Sequence, residues 1–282
     1  MRLCALSVLF LCPAVFCQNL PQPLTQIDAC RKIKNSVVQV DTDTMHGTGF
    51  VVDSNGWIMT ALHVVADPVT LVKRENLSVS LFGHPRPIQA EIVSPLDDVA
   101  RLRDFVILKI EKANMSALEL GKDVDIEDGS PIVIVGLPLS AIFRIPIKPV
   151  PPFCLAGTIA AQTALPLGNL QFLHTVYFQG VSIKGISGAP IVSLVTGKVI
   201  GIVSIRLTGI SKGLEDAKNS LTEGAPGTQA SIQLGSADVG KSVAGLIEAL
   251  DEQLANGLGA GTGAADAAYA LKKAQRNYHK SH

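Results

Sequence analysis

The sequence predicts an all-β protein of antiparallel barrels or a sandwich, divided into two halves. Short runs rich in β-branched residues recur from Ser36 onward and are broken by glycine, proline and aspartate. No long amphipathic helix interrupts these runs, so the alternation of strands and helices that is typical of a parallel sheet is missing. A polar stretch from Glu111 to Gly129 separates two sets of runs of similar size. We therefore place a domain boundary in that stretch.

The predicted strands form one set on each side of the boundary. The first set comprises Val37–Val40, Gly49–Val52, Trp57–Thr60, Ser78–Phe82, Gln89–Val93 and Phe105–Ile110. The second set comprises Ile132–Gly136, Ala156–Ala160, Gln171–Phe178, Pro190–Leu194 and Val199–Ile205. We assign residues 36–115 to a first barrel and residues 116–212 to a second, after an N-terminal segment over 18–35.

The sequence after Ile205 changes in character. The stretch 206–235 is rich in Gly, Ser, Thr and Asn, which predicts an irregular surface segment. Apolar residues then recur at helical spacing and predict a helix that ends at Gly257 and packs on the second half. These residues are Val239, Val243, Leu246, Ile247, Leu250 and Leu254. We assign 213–257 to the irregular segment and the helix, and predict a flexible, Ala- and Gly-rich tail over 258–282.

The N-terminus has the pattern of a secretory signal peptide. Arg2 precedes an apolar run over 3–16, and the sequence becomes polar at Gln18. The run is short for a bilayer span, and cleavage after Cys17 would remove residues 1–17. An uncleaved membrane anchor is the alternative, and the bulky residue before Cys17 disfavours lipidation of that cysteine. We expect a secreted or periplasmic protein with no stable membrane insertion after processing.

Cleavage at that point would leave two of the five cysteines, Cys30 and Cys154. An even number of cysteines in an oxidising compartment is typical of disulfide pairing. A disulfide between these two would join the N-terminal segment to the second half of the chain. Two buried free thiols are the alternative.

The charge balance argues against two classes of partner. The chain has 24 Lys and Arg residues and 24 Asp and Glu residues, so its formal net charge is zero. No run of like charge occurs, which disfavours nucleic acid or an anionic membrane as a partner. The spacing of His46, His63, His84 and His174 is not that of metal ligands. Nothing in the sequence indicates an oligomeric state.

A glycine-flanked serine is the first candidate for chemistry. Ser187 follows Gly185 and precedes Gly188 in the segment GISGAP (185–190). Glycine lets the backbone turn so that amide N–H groups converge on one point, where they would stabilise an oxyanion. A serine hydroxyl also needs a base, and that base works best when a carboxylate orients it. A simple glycine-serine turn between strands is the alternative.

His63 and Asp104 are the candidate base and carboxylate. His63 follows one predicted strand, and Asp104 opens another. A histidine in such apolar surroundings is also typical of a protein core, and Asp97 and Asp98 compete with Asp104. His63 and Asp104 lie in the first half, whereas Ser187 lies in the second. A joint site would therefore lie in the cleft between the halves, where ligand sites are common.

Taken together, these segments resemble the trypsin-like serine protease superfamily, and most closely its bacterial Deg/HtrA-type branch, from Ile27 to about Leu207. The order His, Asp, Ser is that of this superfamily. The segments that carry the resemblance are SVV (36–38), GTGFVV (47–52), TALHVV (60–65), DFVILKI (104–110), GSPIVIVGLP (129–138), GTI (157–159), GISGAP (185–190) and GKVIGIVS (197–204). The resemblance implies two six-stranded antiparallel barrels with the site between them.

The resemblance also implies a role for each candidate. His63 resembles the general base, Asp104 the residue that orients it, and Ser187 the nucleophile. The N–H groups of Gly185 and Ser187 resemble the oxyanion hole, and Ser204 occupies a position near the carboxylate and the substrate backbone. The implied activity is that of a serine endopeptidase, which cleaves protein or peptide substrates through an acyl-enzyme and needs no metal or cofactor.

The substrate pocket is placed by the same resemblance. Val181, six residues before Ser187, corresponds to the floor of the pocket, and Ser204, Ile205 and Arg206 correspond to its wall. No acid lies at the floor to attract a basic side chain. We therefore expect a preference for small or aliphatic residues before the cut.

Two departures from the family leave a second function open. Ile186 stands where the family usually has aspartate or asparagine, so activation through a carboxylate paired with a new N-terminus is not expected. The branch usually carries a C-terminal PDZ domain, and the Gly- and Ala-rich residues after 257 are too few to form one. The alternative is a protease-like binding module with a misaligned triad. An α/β-hydrolase esterase is disfavoured, because that fold needs Gly-x-Ser-x-Gly and residue 189 is Ala.

Overall fold

The computed structural model describes residues 23–84, 86–122, 126–138, 151–166, 172–180, 183, 185–206, 220, 233–234, 237–254 and 258–281. The predicted signal peptide over 1–17 and the pocket residue Val181 lie outside these ranges. Most of the predicted irregular segment over 206–235 lies outside them as well.

Six antiparallel strands close the first barrel. They are β1 (Val37–Asp41), β2 (His46–Asp53), β3 (Trp57–Thr60), β4 (Ser78–Leu81), β5 (Ile88–Ile92) and β6 (Val106–Ile110). Their order around the barrel is β1-β2-β3-β6-β5-β4. β-Branched and other aliphatic side chains favour a pleated, half-buried surface, and Val38, Val40, Ile58 and Leu108 are fully buried in one core cluster.

Three short helices accompany this barrel. They are α1 (Gln26–Ile33), α2 (Leu62–Val65) and α3 (Asp98–Arg103). The Thr25 hydroxyl accepts the N–H of Asp28 at 3.1 Å and caps the start of α1. A disulfide joins Cys30 of α1 to Cys154, with the two Cα atoms 5.8 Å apart. Of the two alternatives for these cysteines, the structure therefore has the disulfide.

Six more antiparallel strands close the second barrel. They are β7 (Pro131–Gly136), β8 (Phe153–Pro166), β9 (Phe172–Gly180), β10 (Pro190–Ser193), β11 (Val199–Arg206) and β14 (Leu258–Gly263). Their order is β10-β11-β14-β9-β8-β7. The short strands β12 (Gln233–Leu234) and β13 (Ala237–Asp238) pair with each other. The fold class of two six-stranded antiparallel barrels is confirmed.

The sixth strand of this barrel corrects the predicted flexible tail over 258–282. Leu258–Gly263 forms β14 between β11 and β9, and Ala264–Ser281 forms the helix α5. The glycines that suggested a linker instead permit close packing. A Cβ atom at Gly259 would collide with the ring of Phe178, and one at Gly261 would collide with the carbonyl oxygen of Ile202. The second barrel therefore takes one strand from beyond the predicted range of 116–212.

The predicted helix is present as α4 (Val239–Leu254). Two of the apolar side chains that the structure describes on it are not in the core, since Leu246 is 70% exposed and Val243 is 38% exposed. Helix α5 packs on β9, β11 and β14 of the second barrel. Within the described ranges, no helix is long and apolar enough to cross a membrane.

A shared core joins the two barrels. One cluster of buried side chains contains Phe50 and Met59 from the first barrel, Val135 from the second, and Ala267 from α5. The ring of Tyr278 on α5 also packs edge-to-face on Trp57 of β3, with centroids 5.5 Å apart. Helix α5 follows the second barrel in the chain and packs against the first.

Candidate active site

The His63 ring and the Asp104 carboxylate form a hydrogen-bonded pair at the edge of the first barrel. The ring nitrogen Nδ1 lies 2.8 Å from Asp104 Oδ2. The backbone N–H of His63 donates to Asp104 Oδ1 at 3.0 Å. One carboxylate therefore holds both the ring and the main chain of the same residue. This double contact fixes the ring orientation on α2, which is a single helical turn directly after β3.

Asp104 reaches His63 because the chain reverses at its own position. Its φ is 46°, in the left-handed region, at the C-terminal end of α3. Aspartate tolerates that region better than most residues, because its short polar side chain forms local hydrogen bonds. The carbonyl of Asp104 also accepts the N–H of Leu62 at 3.2 Å, which ties the turn to the start of α2.

The two competing aspartates are used by α3 itself. The Asp97 side chain accepts the N–H of Ala100 at 2.8 Å and caps the N-terminus of the helix. Asp98 lies 2.9 Å from Arg101 in an exposed ion pair. The structure therefore brings Asp104, and neither Asp97 nor Asp98, to His63.

The Ser187 loop makes a tight turn before β10. Gly185 has a φ of 97° and Gly188 a φ of 85°, conformations that L side chains rarely adopt. A Cβ atom at Gly188 would collide with the carbonyl oxygen of Thr48 and lie 2.7 Å from the backbone nitrogen of Ala61. The N–H of Gly188 donates to the Val203 carbonyl at 2.7 Å. The backbone conformation therefore requires glycine at both 185 and 188.

Thr48 fixes this loop from the opposite barrel, a role that our sequence reasoning missed. It is fully buried on β2. Its N–H donates to the Ser187 carbonyl at 2.8 Å, and its hydroxyl donates to the Gly185 carbonyl at 2.7 Å. The same hydroxyl accepts the N–H of Leu137 at 2.9 Å. Thr48 thereby holds two peptide groups of the loop, the one that joins Gly185 to Ile186 and the one that joins Ser187 to Gly188.

A sequence signal for Thr48 was available in its two neighbouring glycines. A Cβ atom at Gly47 would lie 2.6 Å from a methyl group of Val64 and 3.0 Å from the Ser187 carbonyl oxygen. Glycine inside a strand often marks a close backbone approach. A polar residue between two such glycines is therefore a candidate for a buried contact.

The N–H groups of Gly185 and Ser187 donate to no residue that the structure describes. The Ser187 hydroxyl, which is partly buried, likewise makes no hydrogen bond to His63 or to any other described residue. The pair of His63 and Asp104 is thus formed, and the contact between His63 and Ser187 is not.

Ile186 points away from the loop and into the second barrel. It is 2% exposed and belongs to the core cluster of that barrel. A Cβ atom at Gly136 would lie 2.7 Å from the Ile186 Cγ2 atom, so the two residues pack closely. The position where the resemblance implies aspartate or asparagine is therefore filled by an apolar side chain in the core.

The residues expected at the pocket wall lie on β11. Ser204 is partly buried and sits at a register shift between Val203 and Ile205, where β11 pairs with β14. Such a bulge changes the direction of a side chain. For Ile205 and Arg206 the structure describes the strand and not the side chains.

Comparison with known proteins agrees with this architecture. Residues 47–202 match the family described as Trypsin-like peptidase domain. The mitochondrial serine protease HTRA2 of Drosophila grimshawi is 31% identical over 169 residues, which is 59% of this chain and 35% of that protein. HTRA2 of Drosophila virilis is also 31% identical over 169 residues, which is 59% of this chain and 36% of that protein. The chain thus spans about a third of the length of these relatives.

Solved structures share the fold. The inactive form of Rv3671c from M. tuberculosis H37Rv, a serine-to-alanine mutant, has a TM-score of 0.55 at 18% identity, covering 91% of this chain and 96% of that one. The HtrA-type protease AlgW with a tripeptide has a TM-score of 0.51 at 22% identity, covering 64% of this chain and 54% of that one. The family match extends over more than half of the 282 residues. The chain therefore belongs to the trypsin-like peptidase family.

Proposed function

We propose that the chain is a serine endopeptidase of the HtrA type, with Ser187 as nucleophile, His63 as general base and Asp104 as the residue that orients the base. One observation carries this proposal. The Asp104 carboxylate accepts the ring Nδ1 of His63 at 2.8 Å and its backbone N–H at 3.0 Å. Such a contact leaves the second ring nitrogen, Nε2, available to a serine.

The acylation step uses these groups in sequence. The Nδ1–H of His63 donates a hydrogen bond to Asp104 and stays on the ring. The lone pair of Nε2 then accepts the Ser187 hydroxyl proton as Oγ attacks the carbonyl carbon of the substrate. The imidazolium that forms is stabilised by the Asp104 carboxylate. It then gives its proton to the leaving amine, and the C–N bond breaks to leave an acyl-enzyme. Water repeats the sequence and releases the acid.

The oxyanion of the tetrahedral intermediate binds at the N–H groups of Gly185 and Ser187. Thr48 supports this assignment, because it holds the carbonyls of the same two residues. A donor of this kind is worth roughly 3–4 kcal/mol in the transition state. Because Thr48 holds the loop over 185–188 in place, these N–H groups do not have to reorient when the oxyanion forms.

The substrates are proteins or peptides with a small or aliphatic residue before the cut. This specificity rests on Val181, which brings no acid to the pocket floor. Profiling with a peptide library tests it. Cleavage after Val or Ala supports the assignment, and cleavage after Lys or Arg overturns it.

A fluorophosphonate probe tests the nucleophile. The Oγ atom of an activated serine attacks the phosphorus of the probe and displaces fluoride, which leaves a phosphonate ester, so the wild-type chain becomes labelled and Ser187→Ala does not. Ser80→Ala, in β4 of the first barrel, is the matched control and labels like the wild type. Labelling that persists in Ser187→Ala, or that is absent from the folded wild type, contradicts the proposal.

One observation favours a protease-like binding module as the second candidate. Within the described ranges, the Ser187 hydroxyl makes no hydrogen bond to His63. A binding module would retain a peptide in the cleft without cleaving it. Isothermal titration with a library-derived peptide, followed by mass spectrometry of that peptide, separates the two functions.

We also propose that the protein works in an oxidising compartment, after secretion or in a periplasm. The disulfide between Cys30 and Cys154 supports this, since such bonds persist outside reducing cytosol. Intact-mass analysis of the secreted protein tests the location. A mature N-terminus at Gln18 supports it, and an unprocessed cytosolic product contradicts it.

A further inference from the structure

A buried charged cluster connects helix α5 to the turn that carries Asp104. Asp266, in the first turn of α5, is 8% exposed. Its Oδ1 atom lies 3.3 Å from the Arg103 guanidinium. Its Oδ2 atom accepts the backbone N–H of His174 on β9 at 3.2 Å and lies 3.4 Å from the ring of that histidine. A carboxylate this buried is costly unless it is paired, and here it is paired on both oxygens.

The strand before α5 holds the same turn by its backbone. The hydroxyl of Thr262, on β14, donates to the Arg103 carbonyl. That carbonyl belongs to the peptide bond that joins Arg103 to Asp104. The side chain and the main chain of Arg103 are therefore both held by residues of the C-terminal segment 258–281.

Among the described residues, the other hydrogen bonds of Asp104 all run to α2. Its carboxylate binds His63, and its carbonyl accepts the N–H of Leu62. These contacts cannot fix Asp104 independently of α2, which is the helix that Asp104 is proposed to orient. Its left-handed φ of 46° is uncommon outside glycine and is retained where surrounding contacts hold it. The contacts of Arg103 with Asp266 and Thr262 reach this turn from outside α2.

Apolar and polar contacts both join the Asp104 turn to α5. Phe105, next to Asp104, belongs to the same core cluster as Ala267 and Ala274 of α5. A cavity of about 90 Å³ lies beside them, and its lining includes Arg103 and Lys273. The ion pair of Arg103 with Asp266 adds a directional contact that apolar packing does not supply.

We propose that Asp266 and Thr262 are positioning residues for the active site, both acting through Arg103 on Asp104 and through Asp104 on His63. This inference rests on the proposed protease function. The C-terminal helix is then a component of the catalytic assembly, because it fixes the carboxylate that orients the base.

Asp266→Asn tests this role with little change of shape. We expect kcat to fall about tenfold while KM stays within twofold, because the partners of Asp266 are Arg103 and His174, which are not among the proposed pocket residues, whereas the orientation of the base is lost. Asp98→Asn is the matched control, since it breaks an exposed aspartate–arginine pair on the same helix α3. We expect Asp98→Asn to leave kcat and KM unchanged. In the double variant Asp266→Asn/Arg103→Gln, we expect kcat to be close to that of Asp266→Asn alone, because both substitutions break the same contact. A wild-type kcat in folded Asp266→Asn overturns the proposal.

A spectroscopic measurement separates this inference from the proposed function. The His63 Nδ1 proton, shared with Asp104, gives a downfield ¹H NMR signal that does not require turnover. We expect this signal to weaken or shift in Asp266→Asn and to stay unchanged in Asp98→Asn. An unchanged signal in Asp266→Asn contradicts the positioning role, even if the wild type is never labelled at Ser187.

Thr262→Val provides a second variant if Asp266→Asn fails to fold. It removes the hydroxyl that holds the Arg103 carbonyl and leaves the buried charges paired. We expect a smaller loss of kcat, about threefold, and the same direction of change in the NMR signal. A folded Thr262→Val with wild-type kcat and signal overturns the proposal.

Discussion

At the scale of single residues, Thr48 and Asp104 each connect parts of the chain that are distant in sequence. Thr48 uses its N–H, its hydroxyl and its carbonyl, which accepts the Thr60 hydroxyl at 2.7 Å. Asp104 uses both carboxylate oxygens on His63. The role of Asp104 could be predicted from the family motif around it. For Thr48 the two flanking glycines indicate a close backbone approach, but its partners Gly185, Ser187 and Leu137 could not be predicted, because they lie outside the first barrel.

Thr48→Val removes the buried hydroxyl at nearly constant volume. The Gly185 carbonyl and the Leu137 N–H each lose a partner. Each buried polar group left unpaired costs about 1–3 kcal/mol, so with two such groups we expect the free energy of unfolding to fall by about 2–6 kcal/mol. Because the loop loses its anchor, kcat/KM should fall by roughly tenfold or more. Urea unfolding and steady-state kinetics measure the two effects.

Thr48→Ser is the control for that substitution. It keeps the hydroxyl and loses only a methyl group. Both stability and kcat/KM should stay close to the wild-type values. An equal loss in Thr48→Ser and Thr48→Val would assign the effect to packing and not to the hydrogen bonds.

Asp67 provides a pH-dependent prediction in the loop after α2. The backbone N–H of Thr70, then that of Val69 and the Thr70 hydroxyl, lower the pKa of the Asp67 carboxyl. A lowered pKa in the folded state means that the charged form stabilises the fold. That contribution is complete above the ordinary pKa of the group and is lost as pH falls through the lowered value.

Asp67→Asn should therefore destabilise the protein at neutral pH and have little effect in acid below both pKa values. Urea unfolding of both proteins across this range measures the difference. If the loss of stability in Asp67→Asn did not change with pH, or if it grew in acid, it would contradict a lowered pKa of Asp67 in the folded protein.

At the scale of elements, β14 shows where sequence patterns mislead. A GAGTG segment (259–263) has the composition of a linker, and periodicity gives no strand signal there. The crowding around it is visible only once β9 and β11 are in place. The other eleven barrel strands carry β-branched residues between turn signals, and each overlaps a predicted strand. The helical spacing of apolar residues predicts helix α4, but the surface against which these residues pack depends on tertiary structure.

Gly261→Ala tests the packing reason for β14. The added methyl group would collide with the Ile202 carbonyl and lie 2.7 Å from the Ile191 Cδ1 atom. Overpacking of this kind costs about 1–3 kcal/mol, and we expect a loss of that size in the free energy of unfolding. Calorimetry or urea unfolding measures it.

Gly245→Ala, in α4, is the matched control for that substitution. No atom lies within 4 Å of the added Cβ there, and the helical position gains roughly 0.5–1 kcal/mol from alanine. If both substitutions had the same effect, close packing would not be the reason for the glycine at 261.

At the scale of the whole molecule, contacts from each end of the described chain reach across the barrels. Helix α1 is tied to β8 by the disulfide, and α5 runs from the second barrel to Trp57 of the first. Asp266, at the start of α5, reaches the Asp104 turn through Arg103. The disulfide is one of the two alternatives that the sequence leaves open for Cys30 and Cys154. The contacts of α5 could not be predicted, because a pairing of distant charges or rings leaves no local pattern in the sequence.

Removal of the disulfide should lower stability more than activity. The double variant Cys30→Ser/Cys154→Ser opens a loop with a sequence separation of 124 residues. We expect the free energy of unfolding to fall by about 2–4 kcal/mol, mainly because the unfolded chain gains freedom. Fluorophosphonate labelling at low temperature should persist, since neither cysteine contacts His63, Asp104 or Ser187 in the described part of the chain. A folded variant that loses labelling would give the disulfide a direct role in the site.

The most direct test of the proposed chemistry is to trap the acyl-enzyme. The protein is mixed with an activated ester of an aliphatic amino acid, quenched in acid within the first turnover, and analysed by peptide mass spectrometry. The account predicts one acyl group on the peptide that contains Ser187, and its absence in His63→Ala. An acyl group on any other residue, or hydrolysis with no acylated peptide in the quenched wild type, would contradict it.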